Sequence, residues 1–471
     1  MTGKNTIKFG TDGWRAVIGK DFVPENIERV IQAFCDWRKE AGEKNKSIIL
    51  GFDRREESPE SARLIAEVLA GNGFNVLLSD QYAPTPCISW MTKEKKGGAG
   101  VVVTASHNPW EWNGIKFKEG YGGSASNEYT KEVEQRLDGV KSINKIAYAD
   151  AVKKGSIIPF SPFQEYVSHL KRLVDVEQIK KSGWRILYDP LYGAGANFIR
   201  TILGESVEEI HNGERRGGEG QPPEPIEKNL GEIIGRIKKG FADVGLATDG
   251  DADRIGAIDE TGRYVSSHEI FALLLHYYVT NKRMKGTVVK SVSTSQMISL
   301  LCKKFGLPLI ETPIGFKYIC SELVKHDSLM GGEESGGISF APHIHERDGL
   351  LNGLFLLEMM SARKKKLGEL VADLRREIGT FHFQRVDCHL EKERIEKMQK
   401  ELQTKKIGHL AGEQVASTNF IDGFKFILAD NSWLLIRASG TEPLVRIYAE
   451  SPDAKKVSRL LEEAKTLAGI G

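Results

Sequence analysis

Short apolar runs alternate with amphipathic helical stretches in this chain, and the alternation begins again twice. That texture limits the possible folds more than any single motif. Ser47 to Asp53 (SIILGFD) suits a buried strand, and Ser58-Pro59 then places an N-cap candidate before a proline at the first helical position. Leu64, Val68 and Leu69 share one face of the helix that follows, which stops near Gly71. Asn75 to Ser79 and Gly100 to Val103 return as strands. Ahead of them, Ile27, Val30, Ile31, Phe34 and Trp37 recur at the helical period. Strand, helix and strand in that order require a parallel or mixed sheet covered by helices.

The pattern restarts at Trp184 to Asp189 and Asp243 to Thr248, and again at Gly286 to Lys290, Pro308 to Glu311 and the helical stretch Leu350 to Met360. His211 to Leu230, rich in Gly, Pro and charge, reads either as a mobile loop or as a functional one. After about Gly379 the texture changes. Strand-like segments at Phe424 to Leu428 and Trp433 to Arg437 precede a charged amphipathic helix after Ser451, as in a smaller α+β domain.

A chain of 471 residues corresponds to about three domains at roughly 150 residues each. Its 40% hydrophobic and 28% charged residues allow real cores to be buried. Lys and Arg number 66 against 64 Asp and Glu, for a net charge of +2. That balance argues against a polybasic nucleic-acid or membrane-surface binder, although a local basic pocket is compatible with it. The five cysteines (Cys35, Cys87, Cys302, Cys320 and Cys388) form no CxxC pair, so reduced thiols are expected rather than disulfides or a zinc cluster. Apolar stretches fall far short of the ~20 residues of a membrane span. Phe9-Gly10-Thr11-Asp12-Gly13 arrives too early for a signal peptide. The expectation is a cytoplasmic protein without nucleic-acid or membrane partners.

Four polar clusters carry the chemistry. Thr104-Ala105-Ser106-His107-Asn108-Pro109 follows an apolar strand directly, and the C-terminal end of such a strand is where α/β sheets place ligands. Asn108-Pro109 forces a turn there, and Lys116 follows in Asn113-Gly114-Ile115-Lys116-Phe117-Lys118. A capped turn is the plain alternative; a G-x-S-x-G elbow is absent. Asp249-Gly250-Asp251-Ala252-Asp253-Arg254 brings three carboxylates together if the loop curls, which suits a hard divalent cation. An EF-hand would need Gly at Arg254, and the phosphatase motif D-x-D-x-T would need Thr at Asp253; a solvated acidic turn stays open. Gly331-Gly332-Glu333-Glu334-Ser335-Gly336-Gly337 offers sugar-hydroxyl partners on backbone that can approach closely. Thr312-Pro313-Ile314-Gly315-Phe316-Lys317 precedes it with a lysine. Arg437-Ala438-Ser439-Gly440-Thr441-Glu442-Pro443, followed by Arg446, has the donors a phosphate group needs, or is a surface turn.

Together these segments resemble the α-D-phosphohexomutase family, which includes phosphoglucomutase and phosphomannomutase. The resemblance runs from Phe9-Gly10-Thr11-Asp12-Gly13-Trp14-Arg15 to Arg437-Ala438-Ser439-Gly440-Thr441, with all four clusters in the family's order. It implies three similar mixed-sheet α/β domains and a smaller α+β C-terminal domain around a central cleft. The expected boundaries are 1–155, 156–257, 258–378 and 379–471. Cluster starts at residues 106, 249, 333 and 437 suit four units better than three. By the same resemblance Ser106 carries a phosphoryl group, with Arg15, His107 and Lys116 beside it and Lys116 assisting proton transfer. Asp249, Asp251 and Asp253, with an oxygen of Ser106, resemble the Mg²⁺ ligands. Glu333, Ser335, Arg254 and Lys317 resemble sugar contacts, and Arg437, Ser439, Gly440 and Thr441 the site of the non-reacting phosphate.

The reaction so implied is exchange of hexose 1-phosphate and hexose 6-phosphate through phosphoserine and a hexose 1,6-bisphosphate, which also serves as activator. The loops Gly332 to Ser335 and Thr312 to Lys317 look like the phosphoglucomutase versions, so glucose phosphates are expected first, mannose phosphates second and glucosamine phosphate third. Gly337 stands where the branch acting on both glucose and mannose phosphates often has His, leaving Lys317 or Lys116 to act in place of an imidazole. A phosphatase with an Asp nucleophile and a non-catalytic sugar-phosphate sensor are the alternatives from other classes. A dinucleotide fingerprint at Gly193 and Gly195 is incomplete, because Phe198 holds the third glycine's place. Oligomeric state stays open between monomer and dimer.

Overall fold

The computed structural model describes residues 7–43, 47–215, 221–439 and 443–470. Four sheets follow one another along the described chain. The first has the order Trp14–Val17, Trp112–Glu119, Ala99–Val103, Ile48–Phe52, Val76–Ser79, Ile157–Phe160. Ile48–Phe52 pairs in parallel with both neighbours, while Trp112–Glu119 runs antiparallel to Ala99–Val103. Both central strands are buried throughout, and the two-residue period of a strand sorts their side chains between two cores. Ile48, Leu50, Val101 and Val103 pack beneath helices Pro24–Glu40 and Ser58–Gly71. Ile49 and Val102 face helix Thr85–Glu94 and join a core shared with residues of the second and third sheets. That shared core fixes the first unit against the next two.

Ser58 does not cap its helix. The residue before it, Glu57, takes a left-handed conformation (φ 62°), and the Ser58 hydroxyl instead donates to Asp53 Oδ1 at 2.8 Å. The helix starts at Ser58 itself, one residue earlier than a cap at that position requires, and its hydroxyl oxygen accepts from Asn113 Nδ2 at 2.9 Å instead of from a helix amide.

The second sheet has the order Tyr264–Val265, Ile255–Ile258, Val244–Thr248, Ile186–Asp189, Val207–Glu209, and the third Leu309–Thr312, Thr287–Ser291, Ser328–Gly332, Ile338–Phe340. Each mixes parallel and antiparallel pairs. The fourth is antiparallel throughout, in the order His382–His389, Leu444–Ser451, Trp433–Ala438, Phe424–Leu428, Glu413–Asn419, His409–Leu410, and packs helices Lys392–Thr404 and Ala454–Leu467 over a core of its own. Three mixed α/β units and a smaller α+β unit are thus present, as expected. Val292 of the third unit packs on Trp433, Leu435 and Tyr448 of the fourth, which joins the two through a small apolar contact. No described helix is long and apolar enough to cross a membrane. Four of the cysteines are buried, Cys388 is half-buried, and all five are free thiols.

Candidate active site

Where strand Ala99–Val103 ends, the chain turns sharply and Ser106 takes a left-handed conformation (φ 52°). A non-glycine residue holds that conformation only when its surroundings over-determine it. Thr104 Oγ1 accepts from Ser106 N at 2.8 Å and donates to Asp53 Oδ2 at 2.6 Å. Arg55 supplies most of the restraint. Its buried guanidinium donates to the carbonyls of Ser106 (2.5 Å), Asn108 (2.7 Å), Pro109 (2.8 Å) and Trp112 (2.9 Å). Arg15 Nη1 donates to Asn108 Oδ1 at 2.7 Å. Gln221 and Arg215 lean on the same turn, since Trp110 Nε1 donates to Gln221 O at 3.1 Å and Arg215 lies over the Trp110 ring. So held, the buried Ser106 hydroxyl donates to Asp249 Oδ2 of the second unit at 2.8 Å, with His107 Nδ1 3.5 Å from Ser106 Oγ.

Asp249, Asp251 and Asp253 follow strand Val244–Thr248 in a loop that curls because Ala252 is left-handed (φ 57°). All three are buried, with one oxygen of each inside a common span of 4.8 Å. Asp249 Oδ1 accepts from the amides of Asp253 (2.9 Å) and Arg254 (3.0 Å), closing the loop on itself. Lys116, on strand Trp112–Glu119, reaches across from the first unit to Asp251 Oδ2 (2.8 Å), Asp253 Oδ2 (2.9 Å) and Asp12 Oδ2 (2.7 Å). Arg347 arrives from the third unit, 2.8 Å from Asp253 Oδ2 and 2.6 Å from Asp12 Oδ2. Among the described residues, Oδ1 of Asp251 and Oδ1 of Asp253 are buried without a hydrogen-bond partner. Orphaned carboxylate oxygens are costly, and an all-oxygen set of this kind fits a hard divalent cation.

Burial, reinforced by Asp253 and Asp251, holds the Asp249 carboxyl well above the usual carboxylate range. Burial works the same way on Asp251, but Lys116 and Thr85 outweigh it and hold that carboxyl low. Burial alone would lower the Lys116 ammonium; Asp12, Asp251 and Asp253 overcome it and raise the pKa above that of an ordinary lysine. Lys116 is therefore held as an ammonium among three carboxylates. His107 is driven the other way, well below an ordinary imidazole, by burial and then by Arg254, Arg15, Lys116 and Arg55.

The sugar-loop candidates sit against this centre. Arg254 bridges to Gly337, and Ile255 N donates to Gly336 O at 3.1 Å. Glu333 Oε1 accepts from Gly315 N at 2.9 Å, and burial and then Glu334 push its carboxyl up to about 7. Ser335 Oγ is buried with no partner among the described residues. Lys317 Nζ donates to Gly10 O at 3.1 Å, tying the third unit to the first. Arg437 lies on the fourth sheet, near the end of strand Trp433–Ala438, and Ser439 just beyond it. Arg437 Nε donates to Asp422 Oδ2 at 2.8 Å, and Ser439 N donates to Leu444 O at 2.9 Å. Gly440 and Thr441 lie outside the described residues.

Sequence reasoning missed Arg55, Arg347 and the role of Asp12. Arg55 had a signal: it follows strand Ile48–Phe52, at the same sheet end as Ser106. Arg347 sits in the charged run His345-Glu346-Arg347-Asp348 before an apolar helix, a pattern that reads as an ordinary helix start.

Comparison with known proteins agrees with this geometry. Models of the phosphoglucomutase/phosphomannomutase alpha/beta/alpha domains I, II and III match residues 6–144, 164–262 and 266–378, and the model of the C-terminal domain matches 386–467. A phosphoglucomutase/phosphomannomutase of Thermococcus kodakarensis is 30% identical, with 96% of each chain covered. A phosphoglucosamine mutase of Carboxydothermus hydrogenoformans is also 30% identical, over 97% of each. A crystal structure from Thermus thermophilus, assigned as a phosphomannomutase, superposes with a TM-score of 0.85 at 30% identity over 99% of both chains. The fold and the relatives are those of a mutase that moves a phosphoryl group within a sugar phosphate, an isomerase. The chain belongs to the phosphoglucomutase/phosphomannomutase family.

Proposed function

We propose that this enzyme interconverts α-D-glucose 1-phosphate and glucose 6-phosphate through phosphoserine at Ser106 and glucose 1,6-bisphosphate. The observation that carries the reading is the Ser106 hydroxyl held 2.8 Å from Asp249, beside carboxylates that retain orphaned oxygens. Asp249, Asp251 and Asp253, with an oxygen on Ser106, would hold Mg²⁺, which when bound neutralises charge on the transferring phosphoryl group.

In the first half-reaction a sugar hydroxyl forms a bond to the phosphorus on Ser106 as the Ser106 Oγ–P bond breaks. The proton lost by the sugar hydroxyl is balanced by the one Ser106 Oγ gains. The bisphosphate turns over, and a bond forms between Ser106 Oγ and the phosphorus of its other phosphate as the bond from that phosphorus to the sugar oxygen breaks; the proton lost by Ser106 Oγ is balanced by the one the sugar oxygen gains. His107 Nδ1 lies 3.5 Å from Ser106 Oγ, close to the path of that proton. Lys116 and Arg15 supply fixed positive charge, which suits phosphoryl transfer because positioning and neutralisation do most of the work. Glu333 and Ser335 hold sugar hydroxyls, with Arg254 and Lys317 flanking them. Arg437, Ser439, Gly440 and Thr441 take the phosphate that is not reacting.

Glucose phosphates are preferred in this reading because the loops Gly332 to Ser335 and Thr312 to Lys317 resemble the phosphoglucomutase versions. Mannose phosphates come second. Glucosamine phosphate comes third, a reading to which relatives named phosphoglucosamine mutase lend support. A coupled assay on the three hexose 1-phosphates, with a hexose bisphosphate activator, tests the order. Mapping the phosphate to Asp249 instead of Ser106 would turn the reading towards a phosphatase.

A further inference from the structure

Resting on the reading that Arg437 receives the distal phosphate, we propose that Asp422 is the positioning residue of that site and the strut that ties it to the sugar loop. One oxygen makes both connections. Asp422 Oδ2 accepts from Arg437 Nε at 2.8 Å within the fourth unit, and from Ile314 N of the third unit at 2.9 Å. The next amide, Gly315 N, donates to Glu333 at 2.9 Å. Ile314-Gly315 is thus pinned on one side by the phosphate arm and on the other by the sugar clamp.

The local backbone is built for this contact. Gly423 has φ +95°, and a Cβ there would lie 2.6 Å from Ile436 O and 3.0 Å from Arg437 Cβ. The turn therefore folds flat onto the strand carrying Arg437, which brings the Asp422 carboxylate to the guanidinium. A carboxylate on the Nε edge fixes the rotation of a planar guanidinium, so the rest of the fork presents one orientation. Other polar bonds between the two units, Asn419 Nδ2 to Glu311 Oε2 (2.8 Å), Lys425 Nζ to Val292 O (2.7 Å) and Gln296 N to Glu450 Oε2 (2.8 Å), reach none of the candidate site residues. They and the Val292–Trp433 contact keep the units together when Asp422 is changed.

The test compares kcat and KM for glucose 1-phosphate, with glucose 1,6-bisphosphate present, in wild type, Asp422→Ala, Asp422→Asn, Arg437→Ala and the Asp422→Ala/Arg437→Ala double variant. Asp422→Ala is expected to raise KM about tenfold or more, the worth of a charge-assisted hydrogen bond, and to change kcat less. Asp422→Asn keeps an acceptor for the Ile314 amide but loses the charge on Arg437, and should fall between. It also carries the comparison if Asp422→Ala misfolds. In the Arg437→Ala background, Asp422→Ala should add little, because the group it positions is gone. Additive effects, or wild-type KM in both Asp422 variants beside an impaired Arg437→Ala, overturn the proposal alone. Normal KM in Arg437→Ala overturns the phosphate site and the proposal with it.

Discussion

Replacing Gly250 by alanine would set a methyl group 2.5 Å from the carbonyl oxygen of Ser106 and 3.2 Å from Pro223 Cγ. Real Cβ atoms essentially never approach closer than 3.0 Å, so the carboxylate loop and the serine turn must part by 3.0 − 2.5, about 0.5 Å. Neither side yields easily. Arg55 holds the Ser106 carbonyl, and Ala194 N holds the Gly250 carbonyl at 2.8 Å. The bond that gives is the 2.8 Å contact between Ser106 Oγ and Asp249. A displacement of about 1 Å at a reacting centre can cost about 10²-fold in rate, so kcat/KM should fall by about tenfold or more. Overpacking should cost about 1–3 kcal/mol in stability. The assay is coupled turnover of glucose 1-phosphate, with urea melts and a Mg²⁺ titration on the same protein. Gly235, with nothing within 4 Å of an added Cβ and lying in helix Gly231–Lys238, supplies the control. Gly235→Ala should keep its activity and gain up to about 1 kcal/mol. Wild-type kcat/KM in a folded Gly250→Ala enzyme would refute the reasoning.

Four further outcomes are expected. Ser106→Ala should abolish turnover yet still bind sugar phosphates, as calorimetry would show; retained turnover removes the phosphoserine role. Exhaustive chelation should stop the reaction and Mg²⁺ restore it, and an unchanged rate counts against the carboxylate assignment. Arg55→Met strands four carbonyls and the buried Asp53 carboxylate, which should cost about 3–5 kcal/mol in urea unfolding. Glu333 holds its proton up to about pH 7 against an ordinary 4.5, so between those values the folded state binds more protons than the unfolded chain. Stability contributed by this group therefore falls as pH rises from 4.5 towards 7, and Glu333→Gln should flatten the melting-temperature profile across that window.

Much of the fold was legible because it is local physics. The apolar run that marked Ser47 to Asp53 as a strand and the period that marked Ile27 to Trp37 as a helical face reflect local backbone geometry, and the structure places a strand at Ile48–Phe52 and a helix at Pro24–Glu40. The polar clusters were legible for a similar reason: Ser106 and Asp249 stand just beyond buried strands, where α/β sheets gather ligands. Capping was less legible. Ser58 has a cap's local chemistry, but the helix begins at Ser58 itself and its hydroxyl is bonded to Asp53 and Asn113.

The electrostatic state of the centre belongs to the tertiary structure. From sequence Lys116 could serve as a base or as a fixed charge. Asp251, 135 residues away, and Asp253, 137 residues away, bond to it and favour the ammonium. Arg347 meets Asp12 across 335 residues, and Asp422 meets Ile314 across 108, so no window of sequence contains both partners. A side chain's type and spacing determine which bonds it can make. Which of them it makes, and hence its charge and orientation, depends on how the four units dock, because burial and neighbouring charge act through space and not along the chain. The sequence by itself determined the α/β texture with a smaller α+β end, several of the strands and helices, and the residue types at each cluster. Docking decided that Ser106 faces Asp249, that Lys116 stays an ammonium, and that a single Asp422 oxygen joins Arg437 to Ile314.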